Sequence, residues 1–92
     1  MVSVTVRIRG QVQGVGFRYW LRQEARRAGV DGWVRNISNG TVEAFFAGNP
    51  EPVDAIVAKC RIGPAGANVI GVDINKAEDE PGSGFRIRRR AT

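Results

Sequence analysis

Val4, Val6 and Ile8 alternate with Thr5, Arg7 and Arg9, a period of two that predicts a strand with one apolar face and one basic face turned to water. Farther on the period lengthens. Phe17, Trp20, Leu21, Ala25 and Ala28 fall on one side of a helix from Phe17 to Ala28, with Arg18, Arg22, Arg26 and Arg27 off that stripe and Gly29 placed to cap its end. Trp20 and Leu21 read as core residues. Two more strands are predicted, from Trp33 to Ser38 and from Thr41 to Ala47, joined at Asn39-Gly40, a dipeptide that favours the positive φ angles of a tight hairpin. Within the first of these, alternation sets Asn36 on the side of Val34 and Ser38, opposite Trp33, Arg35 and Ile37. A second helix starts at Pro50 or Pro52 and runs to about Ile62, with Val53, Ile56, Val57 and Cys60 on one stripe and Gly63-Pro64 closing it. Asn68 to Lys76 is strand-like. After a loop rich in Glu, Asp, Pro and Gly, Phe85-Arg86-Ile87-Arg88 alternates as a short last strand before an arginine-rich end.

The order strand, helix, strand, strand, helix, strand predicts an α+β fold, the ferredoxin-like α/β sandwich (βαββαβ), with an antiparallel sheet and both helices on one face. In that arrangement the loop after the first strand and the end of the second strand come to the same edge of the sheet, so Asn36 faces the turn from Gly10 to Arg18. An amide in a strand needs a reason. The 92 residues are expected to make a single domain, 1–92, too small for a deep cleft, so any site is shallow. Neither an apolar run of membrane length nor a basic segment followed by a long apolar one is found, so a cytoplasmic protein without membrane contact is expected. The one cysteine, Cys60, has no internal partner and is expected to be buried and inert, in agreement with a reducing compartment.

A net charge of +5 that comes mostly from arginine suits anionic partners, because a guanidinium forks onto phosphate or carboxylate with two parallel hydrogen bonds. Charge alone does not choose between a small phosphate and a polynucleotide. The absence of histidine, with a single cysteine, excludes zinc sites and Ser-His or Cys-His nucleophile pairs, leaving electrostatic catalysis. The stretch GQVQGVGFR, Gly10 to Arg18, ends a strand and opens a helix without an acidic side chain. Gly10, Gly14 and Gly16 let the backbone bend and expose amides, and the helix dipole and Arg18 converge on the same spot. A cation in a first helical turn is repelled by the dipole unless an anion compensates, so Arg18 points to a bound phosphate.

Two stretches, GQVQGVGFR and GWVRNISNGTVEAFFAG (Gly32 to Gly48), resemble the two signatures of the acylphosphatase family, and the resemblance covers nearly the whole chain. It implies hydrolysis of the carboxyl–phosphate bond of small acyl phosphates to a carboxylate and inorganic phosphate. By position it implies that Arg18 binds the phosphate and Asn36 orients the attacking water. The backbone amides of Gln13, Gly14, Val15, Gly16, Phe17 and Arg18 would form the anion cradle. No metal, cofactor, nucleic acid or membrane is expected, and a monomer suffices. Ile37 stands where many members carry a small polar residue, and the tail from Arg88 to Thr92 is more basic than usual.

An RNA-binding module shares the same element order, and Arg7, Arg9, Arg86 and Arg88 are expected on its open sheet face. It would need aromatic rings on the two central strands for base stacking. Here Phe45 and Phe46 point to opposite faces and the first strand carries no ring. A third reading, an acyl-phosphate-handling domain of a larger carbamoyl-transfer protein, ranks below the free enzyme.

Overall fold

The alternation in the first strand buries Val6 and Ile8 against two helices, and the rest of the architecture is laid down around that contact. A computed structural model describes residues 1–78 and 82–92. The elements are β1 (Val2–Gln11), α1 (Phe17–Ala28), β2 (Asp31–Asn36), β3 (Val42–Gly48), α2 (Pro50–Cys60), β4 (Asn68–Lys76) and β5 (Phe85–Ile87). They form one sheet of order β4-β1-β3-β2-β5. Its first four strands are antiparallel neighbours, as the ferredoxin-like reading requires. The short fifth strand joins β2 in parallel, so the sheet is mixed. Part of the acidic loop predicted between β4 and β5, residues 79–81, lies outside the described residues.

Val6, Ile8, Val34, Val42, Ala44 and Phe46 supply the sheet side of the core, and Phe17, Leu21, Ala25, Val53, Ile56 and Val57 supply the helix side. Leu21 is wholly buried, so its truncation to alanine would fall in the range of about 2–5 kcal/mol for such core cavities. Trp20 packs half-buried against the same cluster with its ring edge-on to Phe17. Ala28, read from the periodicity as part of the apolar stripe, is exposed, because the stripe leaves the sheet at the last turn. There the chain reverses: Val30 N–H donates to Ala25 O at 2.9 Å and Gly29 N–H to Arg26 O at 3.2 Å, a Schellman close with Val30 buried beyond it. α2 ends at Cys60, two residues short of the predicted Ile62, since Arg61 and Ile62 already turn on bonds to Ala58 O and Lys59 O. Among the described residues no helix is long and apolar enough to cross a membrane.

The β2–β3 hairpin differs from the expected tight turn. Among the described residues only glycines have a positive φ, so Asn39 does not take the left-handed conformation, and in this turn Gly40 alone does, at φ 93°. Ile37 N–H donates to Thr41 O at 2.9 Å and Gly40 N–H to Ile37 O at 3.0 Å, which makes a three-residue loop needing one left-handed residue rather than two. The Asn39 side chain braces it by accepting from Thr41 N–H at 3.1 Å and Thr41 Oγ1 at 2.7 Å.

The open face of the sheet is less basic and less wet than its alternation suggested. Glu43 sits between Arg7 at 3.3 Å and Arg35 at 2.8 Å, and Arg9 pairs with Asp73 at 3.0 Å. Trp33 and Phe45 stack on this face with ring centroids 6.1 Å apart, and the guanidinium carbons of Arg35 and Arg88 each lie 4.8 Å from the Trp33 ring centroid. Phe45 is wholly buried and Trp33 only 9% exposed, so neither ring is a platform for a base.

The helices are joined at their outer surface by Glu24, which accepts from Lys59 Nζ at 2.6 Å and Arg27 Nη1 at 3.2 Å. The hydrogen bond from Lys59 holds the Glu24 carboxyl below its ordinary 4.5, against a smaller opposing effect of burial. A depressed folded pKa means that this contribution is present above the unfolded value and lost as pH falls through the folded one. Urea denaturation from pH 6 down to pH 3 should therefore show a decline below about pH 4.5 that is shallower in Glu24→Gln. Equal acid slopes in the two proteins would show that the bridge contributes nothing.

Candidate active site

β1 changes register between Arg9 and Gly10, where a bulge shifts its pairing with β4. Gly10 has φ 127°, and a Cβ there would run into the Asn68 carbonyl, so only glycine permits the close approach that re-aims the chain. Val12 and Phe17, exposed by 1% and 2%, anchor the two ends of the next segment in the core. Between them the backbone is irregular, with Gly14 at φ 75° and Gly16 at φ 78° on either side of Val15. Gly16 caps α1 through its backbone, its carbonyl accepting from Trp20 N–H at 3.0 Å, with no side-chain cap and no acidic residue in the first turn. None of the amides from Gln13 to Arg18 donates to a protein acceptor among the described residues. The result is a run of free donors at the positive end of a helix dipole, the arrangement that binds anions.

Arg18 lies half-buried in that first turn, its guanidinium carbon 5.8 Å from the Tyr19 ring centroid and without a carboxylate partner among the described residues. Arg22, one turn on, lies 5.5 Å from the same ring. The two arginines thus flank an exposed tyrosine, and no carboxylate among the described residues pairs with either.

Asn36 is the last residue of β2. It stands opposite Val42 of β3, and Val42 stands opposite Ile8 of β1. The ends of β1 and β2 therefore reach the same end of the sheet, as expected, but with β3 between them rather than at one edge, about 10 Å apart by strand spacing. Asn36 follows buried Val34 in the alternation and so shares the helix-bearing side with α1. Its Oδ1 is buried, and no donor among the described residues reaches it. A buried carboxamide oxygen without a donor costs about 1–3 kcal/mol, a cost that a donor brought by water or ligand removes.

The link between loop and strand end is a side chain that sequence reasoning missed. The sequence points to Gln13 only as a backbone donor, yet its Nε2 donates to Ile37 O at 2.7 Å and Thr41 O at 2.9 Å, on either side of the hairpin. The sequence carries no signal of this bridge, since the half-burial of Gln13 appears only in the fold. The tail was missed as well: Ala91 N–H donates to Asn36 O at 2.9 Å and Ser38 N–H to Ala91 O at 2.8 Å, so the strand carrying Asn36 is gripped from both sides. Cys60 lies in the core, its thiol pushed up to about 12 by burial, and it takes no part in the site. No group of three or more His, Cys, Asp or Glu side chains placed to hold a metal is found among the described residues.

Two helices on one face of a β4-β1-β3-β2 sheet define a ferredoxin-like α/β sandwich, with an amide-lined loop and an arginine at the end where β1 and β2 finish. An acylphosphatase family model matches residues 4–87. The chain is 53% identical over 78 residues to an acylphosphatase of Rhizobium etli, covering 85% of this chain and 83% of that one. It is 46% identical over 86 residues to an acylphosphatase of Thermococcus kodakarensis, covering 94% of each. Its fold superposes on the crystal structure of acylphosphatase from Bacillus subtilis with TM-score 0.90 at 29% identity, covering 96% of this chain and 99% of that one. The chain belongs to the acylphosphatase family.

The left-handed residue at the helix cap can be tested alone. Gly16→Ala places a Cβ at φ 78° with free space around it, so the expected loss in urea denaturation is the backbone strain alone, about 1–2 kcal/mol. A change within about 0.5 kcal/mol, the range of an ordinary surface substitution, would show that the loop relaxes into another conformation.

Proposed function

We propose that this chain, as one acylphosphatase-like domain over residues 1–92, hydrolyses small acyl phosphates through Arg18, Asn36 and the backbone amides of Gln13 to Arg18. What supports the reading is a loop of free amides and a guanidinium without a carboxylate partner among the described residues, brought by the sheet to the same end as a strand whose carboxamide oxygen has no donor among those residues. Gln13 fastens the two together.

An acyl phosphate is a mixed anhydride whose carboxylate leaves readily, so the protein's task is to bind, orient and stabilise charge. Arg18 forks onto two phosphoryl oxygens while the loop amides take the remaining lone pairs, each charge-assisted bond contributing about 1.5–3 kcal/mol. Only bonds better made in the transition state raise turnover. The Asn36 oxygen accepts a hydrogen bond from the attacking water and holds it in line with phosphorus, and the substrate's own phosphoryl oxygen receives the water's proton as the P–O bond to the carboxylate breaks. The scheme calls on neither a metal, a cofactor nor a general acid.

The same reading makes the protein a cytoplasmic monomer acting on small molecules. The free, buried Cys60 thiol agrees with a reducing compartment. The covered Trp33 and Phe45 rings and the pairing of Arg7 and Arg9 with acidic residues speak against an RNA-binding sheet face.

Hydrolysis of acetyl phosphate, benzoyl phosphate and a phosphomonoester, assayed side by side with a chelator present, tests the class, and only the two anhydrides should be cleaved. Arg18→Lys should lower kcat/KM about ten- to a hundredfold, the loss of one charge-assisted bond, since an ammonium cannot reproduce the planar fork. Near-normal turnover would refute the role of Arg18. Asn36→Ala should lower kcat about a hundredfold, the scale of a misplaced reactant, with inhibition by inorganic phosphate almost unchanged. A parallel loss of phosphate affinity would assign Asn36 to the anion instead.

A further inference from the structure

The Gln13 carboxamide joins three separate segments. Both protons of Nε2 go to the hairpin, to Ile37 O at 2.7 Å and Thr41 O at 2.9 Å, and Oε1 accepts from Arg90 Nη2 of the tail at 2.8 Å. A primary amide has two donors and one oxygen acceptor, so each polar atom of this side chain is engaged and its orientation is determined by the bonds it makes. The tail arrives there by backbone pairing, with Arg88 N–H on Val34 O at 2.8 Å and Ala91 N–H on Asn36 O at 2.9 Å. Arg90 is therefore held beside the residue that β2 presents to the site. Among the described residues, every side-chain hydrogen bond between the β1–α1 loop and the hairpin comes from Gln13.

This geometry separates two tasks. The amides of the cradle belong to a loop whose ends are anchored by Val12 and Phe17, so their mutual arrangement does not depend on the hairpin. The position of the cradle relative to Asn36 does, because β1 ends at Gln11 and sheet register holds Asn36 but no longer holds the loop that follows. We propose that the Gln13 side chain, locked by Arg90, is a positioning residue that sets the separation between the anion cradle and the Asn36 carboxamide, so that it governs turnover and not anion capture. The inference deepens the proposed function and rests on the role assigned there to Asn36. Such precision matters in catalysis, where a displacement of about 1 Å can cost a hundredfold in rate.

The test is steady-state hydrolysis of benzoyl phosphate, with inorganic phosphate as competitive inhibitor, for Gln13→Ala, Arg90→Ala, Arg90→Lys, Asn36→Ala and the double variant Gln13→Ala/Asn36→Ala. The main-chain amide of residue 13 survives in all of them. Gln13→Ala should lower kcat about ten- to a hundredfold while the phosphate inhibition constant stays within about twofold. Arg90→Ala, a change at an exposed tail residue that keeps the test available should Gln13→Ala fold poorly, should lower kcat by a smaller factor. Arg90→Lys, which can still donate to Oε1, should restore most of it. If the clamp acts through Asn36, the double variant should be no slower than Asn36→Ala alone. Multiplying losses in the double variant, or a tenfold weaker phosphate inhibition with kcat intact, would overturn the proposal. Undiminished kcat in Gln13→Ala beside a crippled Asn36→Ala would overturn the clamp alone. Undiminished kcat in Asn36→Ala would overturn the site reading on which it rests.

Discussion

Ile8 opposite Val42, and Val42 opposite Asn36, is the register on which the site depends, because it brings the ends of two strands distant in sequence to one end of the sheet. The pairing is enforced by burial: Ile8, Val42 and Val34 face the helices in one core. A slip of one residue in β2 would turn Val34 into the open face and carry Asn36 away from the loop that follows β1. The apolar alternation that folds the sheet thus also decides which face the carboxamide takes, while its distance from the loop is left to bonds beyond the strand ends.

Beyond the strand ends the constraints change from apolar packing to polar bonding. The loop after β1 keeps its amides free because glycines take left-handed conformations and the pairing of β1 with β4 ends at Gln11. Charge is arranged in the same sense. Arg26 and Arg27 lie at the negative end of α1, where a cation is stabilised, whereas Arg18 lies at the positive end, where only an anion compensates it. On the open face Arg7 and Arg9 are paired with Glu43 and Asp73, so part of the net positive charge is neutralised away from the site. The protein's basicity is therefore uneven, and the arginines without a carboxylate partner among the described residues include Arg18 and Arg22, at the start of α1 next to the free amides.

What the sequence by itself determined was whatever depends on neighbours along the chain. Alternation in Val4, Val6 and Ile8 marked β1, the helical stripe through Phe17, Leu21 and Ala25 marked α1 with its bounds, and Gly29 marked its close, since each is set by local geometry and by which side chains must leave water. The glycines around Val15 announced an exposed run of amides for the same reason. Only the tertiary structure decided what depends on contacts between distant segments. The parallel docking of β5 and the tail on β2 carries no local pattern, because its bonds run between backbone groups that every sequence possesses. The Gln13 bridge to Ile37 and Thr41 and its lock on Arg90 exist only once three separate stretches have been brought side by side, and a glutamine between glycines looks the same whether its amide meets water or a carbonyl.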